Sequence, residues 1–77
     1  MTSVKIRLSS IQDVRNFVDL VTKYYDLEID LVSGRYVVDA KSIMGIFSLD
    51  LSKPIELTIH NDDAADILAT LAPYIVQ

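Results

Sequence analysis

The sequence predicts an α+β fold of two layers, an antiparallel sheet covered by helices on one side with its other side wet. Three observations predict it. Short segments alternate apolar and polar residues, each with one apolar face, and longer segments between them carry apolar residues at helical spacing. The chain of 77 residues is 51% hydrophobic with 2 Gly and 2 Pro, too apolar for a disordered tail and too short for two cores. It has no Cys, so neither a disulfide framework nor a thiolate metal site can staple it, and packing must hold it together.

The elements follow in order. Val4, Ile6 and Leu8 alternate with Lys5 and Arg7, the period of a strand with one wet face. Ser10, with Asp13 three positions later, forms a variant of the capping box and opens a helix expected from Ile11 to Tyr24. Its apolar stripe is Val14, Phe17, Val18 and Val21. Leu27, Ile29 and Leu31 alternate against Glu28 and Asp30. After a turn at Ser33-Gly34, Tyr36, Val38 and Ala40 continue the alternation, which makes a hairpin. Ser42 begins a short apolar stretch to Leu49, expected as a two-turn helix that Gly45 weakens. Leu57 and Ile59, alternating with Glu56, Thr58 and His60, give a fourth strand. Asn61 is expected to cap a last helix, with Asp62, Asp63 and Asp66 at its positive end and Ile67, Leu68, Leu71 and Ile75 on its packing face. Pro73 should end it early.

The order is β-α-β-β-α-β-α, one domain over residues 1–77. Val4, Ile6, Leu8, Phe17, Val21, Ile29, Leu31, Val38, Leu57, Ile59, Leu68 and Leu71 should form one core. Seven basic against eleven acidic residues give a net charge of −4, which cannot furnish the basic surface that nucleic-acid binding needs. The apolar runs are far too short to insert in a membrane, and the start lacks the long apolar stretch of a secretory signal. The expected location is cytoplasmic.

Between the third and fourth strands stands Lys41-Ser42-Ile43-Met44-Gly45-Ile46-Phe47-Ser48-Leu49. This stretch closely resembles the second, regulatory signature of HPr, the histidine-containing phosphocarrier family of the bacterial sugar phosphotransferase system. The element order resembles that family along nearly the whole chain. The resemblance implies an open-faced β-sandwich with a four-stranded antiparallel sheet in the order 1-4-2-3. It also implies that Ser42 matches the serine phosphorylated by HPr kinase in many relatives. The residues matching Ile43, Met44 and Phe47 project outward in the family and dock onto partner proteins.

The chain departs from the family at the carrier itself. HPr holds its phosphorylated histidine in a Gly-aliphatic-His-Ala-Arg-Pro segment before the first helix. Here that place reads Leu8-Ser9-Ser10-Ile11-Gln12-Asp13-Val14, in a shorter loop. Counting back from Ser42 puts Ile11 at the histidine and Asp13 at the arginine. A phosphocarrier needs a nucleophilic imidazole, cationic help and helix N-terminal amides. Ile11 supplies no nucleophile, and Asp13 repels phosphate.

The single histidine, His60, stands at the far end of the fourth strand and is expected as a plain surface residue. The acids after it are explained as helix N-terminal residues, so no metal site and no cofactor are expected. Asp62-Asp63 has no pocket-forming context for acid-base work, and the protein is not expected to be an enzyme. An Ile-Met-Phe cluster exposed on a small acidic domain is a candidate recognition patch. The favoured expectation is a non-catalytic HPr-like regulatory or interaction module, tied to sugar phosphotransfer and carbon catabolite control and regulated through Ser42. Its expected partners are HPr kinase, a catabolite-control transcription regulator or phosphotransferase-system components. The alternatives are a phosphocarrier with an altered acceptor and a bare structural or oligomerisation domain.

Overall fold

The computed structural model of the protein describes residues 1–76. Five strands form one sheet: β1 (Thr2–Ile6), β2 (Ile29–Ser33), β3 (Tyr36–Asp39), β4 (Ile55–Ile59) and β5 (Ile75–Val76), in the order β3-β2-β4-β1-β5. The expected 1-4-2-3 order therefore holds, and a short strand is added beyond β1. All pairings are antiparallel. Three helices cover the sheet, α1 (Ile11–Thr22), α2 (Ile43–Phe47) and α3 (Ala65–Thr70).

The register explains the two faces. Ile6 lies opposite Ile55, Val4 opposite Leu57, and Leu31 opposite both Leu57 and Val38. One face of the sheet is thus aliphatic. Val14, Phe17 and Val21 of α1 and Ile67 of α3 are buried over it. The buried set contains no polar or charged residue among the described residues. On the outer face Lys5 stands directly across from Glu56, and the Ser3 and Thr58 hydroxyls approach to 3.3 Å. Of the expected core, Val4, Val38 and Leu68 are only partly buried, while Ile46, Ile55, Ala40 and Ala64 are buried. Val38 lies on an edge strand, with a neighbouring strand on one side alone.

The boundaries shift for local reasons. β1 runs from Thr2 to Ile6 rather than to Leu8, yet Leu8 stays buried because the alternation continues past the last ladder pair. α1 ends at Thr22 instead of Tyr24, where the Tyr24 N–H turns back to the Val21 carbonyl and the Leu27 N–H to that of Tyr24. β2 consequently begins at Ile29. The hairpin link is Gly34-Arg35, with Ser33 paired to Tyr36 and Gly34 at φ +59, a left-handed conformation that favours glycine.

The last helix differs most. Asn61 does not cap it; its side chain accepts from the Asp63 N–H at 2.8 Å and closes a turn, and the helix starts four residues further on behind Ala64. It stops at Thr70. Pro73 sits in a 3-10 turn over Ala72–Tyr74, and Ile75 leaves the expected helical face to pair with Ile6 in β5. Proline cannot donate into a continuing helix, and the open edge of β1 offers the chain new backbone partners.

Candidate functional site

The start of α1 and the whole of α2 lie side by side on the helical layer. Ser10 takes extended backbone angles and its Oγ accepts the Asp13 N–H at 3.1 Å. Asp13 Oδ2 in turn accepts the Ser9 N–H at 3.0 Å. The reciprocal closure is that of a capping box, with the acid reaching one residue further back than the usual target. The acid at this helix N-terminus is therefore provided by the chain itself. Tyr74 packs edge-on against Phe17, ring centres 5.9 Å apart, and the burial of its phenol, aided by the Asp13 charge, raises its pKa.

α2 is built the same way. Ser42 Oγ accepts the Gly45 N–H at 3.1 Å, and the Ser42 N–H donates to the Asp39 carbonyl at 3.0 Å. A Cβ on Gly45 would stand 3.2 Å from Ser42 Oγ and from Val38 Cβ, so glycine lets the helix settle closely onto β3. Lys41 was singled out by no sequence argument, yet it anchors this corner. Its Nζ donates to the Tyr24 carbonyl at 2.8 Å and to the Leu27 carbonyl at 2.7 Å, tying the start of α2 to the chain leaving α1. A lone lysine in sequence carries no sign of such long-range bonding.

The side chains of α2 then divide. Ile46 is fully buried, and Ile43 is half-buried against the core. Met44 is 79% exposed and Phe47 43% exposed. They lie three residues apart, on one side of the helix. Ile11, at the place where the resemblance puts the histidine, is 64% exposed. Ile11 and Phe47 line the same open hollow with Leu8, Ser10, Leu51 and Ser52. Sequence spacing could not bring Ile11 and Phe47 together, because the packing of α1 beside α2 does so. The Asp50 carboxylate accepts from the Ser52 hydroxyl and backbone N–H, bonds that lower its pKa and close the turn beside the hollow.

His60 lies elsewhere. Thr2 pairs with Ile59, whereas Ile6, which leads into the α1 start, pairs with Ile55 at the other end of β4. The His60 Nε2 sits 2.8 Å from Asp30 Oδ2 on the outer face. Among the described residues, no three His, Cys, Asp or Glu side chains are grouped to hold a metal ion. No helix there is long and apolar enough to cross a membrane.

A family model described as the PTS HPr component phosphorylation site matches residues 12–77. Among solved structures, HPr-C-His from Thermoanaerobacter tengcongensis is 28% identical with a TM-score of 0.77, over 95% of this chain and 89% of that one. A phosphocarrier protein HPr from Bacillus anthracis str. Ames is 26% identical with a TM-score of 0.72, over 97% of this chain and 96% of that one. A comparison with curated proteins found no match.

Proposed function

Since the chain belongs to the HPr family of the phosphotransferase system, we propose that it serves there as a non-catalytic regulatory or protein-interaction module, linked to carbon catabolite control. The family is one of phosphocarriers rather than enzymes, and a carrier must hold a phosphoryl group on a nucleophile. The observation that carries the proposal is at the start of α1. Ile11 stands there without a nucleophilic atom, and the helix end behind it is closed by Ser10 and Asp13. A phosphoryl group at that end would meet a carboxylate and find the Asp13 amide already bonded. His60, the single histidine, is at the opposite end of the sheet and bonded to Asp30.

What the chain retains is a surface for partners. Ile11 and Phe47 expose apolar area around one hollow, and Met44 extends it along the same side of α2, with half-buried Ile43 next in the chain. Exposed apolar groups clustered in this way suit a protein contact. Ser42, at the head of α2, is the residue proposed for regulatory phosphorylation. A phosphate adds about two negative charges to the rim of the same surface and so alters what binds there. The proposed partners are HPr kinase, a catabolite-control transcription regulator or other phosphotransferase components, met in the cytoplasm by residues 1–77 acting as one domain.

Incubation with phosphoenolpyruvate and the first enzyme of the relay tests the proposal. No acid-labile phosphate should form on the chain. Acid-labile labelling of the chain would overturn the proposal in favour of a carrier with an altered acceptor.

A further inference from the structure

We propose that the β3 edge of the sheet pairs with the β3 edge of a second copy of this chain, joining two sheets about a two-fold axis at Val37. The edge is open. The Ala40 N–H donates to the Ile29 carbonyl, so in the β2–β3 ladder the hydrogen-bonded pairs alternate through Leu31–Val38 and Ser33–Tyr36. The backbone N–H and C=O of Val37 therefore face away from β2. Its side chain is 62% exposed and that of Tyr36 67% exposed. Natural edge strands are usually protected by an inward-pointing charge, a proline or a bulge, and the middle of β3 has none of these.

The sequence of this edge is complementary to itself. Tyr36–Asp39, laid antiparallel on a second copy with Val37 against Val37, brings Arg35 of the hairpin link beside the mate's Asp39 at both ends. Val37 and Asp39 share the outer face of the sheet with Val32 and Asp30, so the central valines meet there and the long Arg35 side chain reaches the mate's Asp39 from the turn. Neither Arg35 nor Asp39 has an ion-pair partner among the described residues. The Asp39 carboxylate accepts the Lys41 backbone N–H at 2.8 Å and stands directly across from Asp30, a like-charge pair whose Asp30 member is bonded to His60. The mate's Arg35 supplies the missing cation. Val32 lies opposite Val37 within each copy, so pairing also continues an apolar row across the axis.

A second copy fits these features better than an arbitrary extended peptide, because the charges at both ends of the strand are satisfied by the same sequence reversed. The contact is isologous and closes at two copies. β3 spans four residues, so the contact is small and forms at high protein concentration. The α1–α2 surface lies on the helical layer and stays free in the dimer.

Sedimentation velocity from about 0.05 to 1 mM protein tests this, the range in which a weak contact half-forms. The average mass should climb from 8.6 kDa toward twice that value. Arg35→Asp and Asp39→Arg, each folded by circular dichroism, should remain monomeric alone. An equimolar mixture of the two should associate again, since one copy then carries two cations at the edge and the other two anions. Phe47→Ala should associate like the parent. A parent that stays monomeric throughout, single variants that still dimerise, a mixture that does not associate, or loss of association in Phe47→Ala would each overturn the proposal.

Discussion

At the scale of single residues, burial and capping decide what matters. Phe17 is fully buried and meets Tyr74 edge-on, so Phe17→Ala removes a large side chain that nothing can replace. The loss should be about 3–5 kcal/mol, a large share of the stability of so small a domain. Urea unfolding gives the number, and a variant as stable as the parent would contradict the packing of α1. Tyr74 makes a second prediction, on pH. Its folded pKa is raised, so the unfolded chain gives up that proton first as the solution turns alkaline. The contribution is whole below a pH of about 10 and is lost as pH rises through the higher folded value. Tyr74→Phe keeps the ring against Phe17 without the proton. Its stability should fall less steeply than the parent's over that range in pH-dependent denaturation. Asp50 and Asp62 act with the opposite sign: their lowered pKa values give stability that is lost as pH falls through the folded values.

At the scale of elements, α2 combines structure with the proposed function. Its five residues cannot hold a helix by themselves, so Ser42, Gly45 and Lys41 secure it against β3 and the end of α1. Lys41→Met should leave the Leu27 carbonyl without its partner, while the Tyr24 carbonyl keeps the Leu27 N–H, at a cost of about 1–3 kcal/mol. Amide exchange should quicken around residues 24–28 ahead of the β1–β4 ladder, and uniform exchange would show that the corner is held otherwise. Phe47→Ala touches the exposed side instead. It should leave the fold intact and weaken a captured partner by about 2 kcal/mol or more, as loss of an aromatic anchor does. Ser42→Asp should change the same affinity. If both variants bind like the parent in calorimetry, the proposed surface is misplaced.

At the scale of the whole molecule, the proposed role keeps a phosphocarrier's fold without its chemistry. The HPr framework survives here with a core formed by the sheet and all three helices, while the α1 start carries a self-closing cap. Restoring one residue should therefore not restore transfer. Ile11→His places an imidazole beside Ser10, yet Asp13 remains negative and bonded to Ser9. Phosphoryl transfer needs position and charge together, so the single variant should show no efficient relay from phosphoenolpyruvate. Rapid labelling of Ile11→His would show that the framework alone suffices.

The layers, the strand order implied by the signature around Ser42, and the caps at Ser10 and Ser42 were legible in the sequence. The layers and the caps depend on residues close together in the chain, a period of two, a period of 3.6, or a hydroxyl three positions before an amide, whereas the strand order was implied by the family resemblance alone. The same local logic misplaced the last helix, since Asn61 and three acids suit a helix start but a turn closed by Asn61 satisfies them equally well. Residues 75–76 could not be recognised as a strand, because what makes them one is the free edge of β1, 69 residues away at Ile6. The meeting of Ile11 with Phe47 and the reach of Lys41 to Tyr24 belong to the same class. Sequence determined which faces must be buried and where helices can begin, because those are properties of neighbouring residues. Tertiary structure alone decided which ends meet and which apolar groups stay exposed, because packing one layer on another settles the distances between residues far apart in the chain.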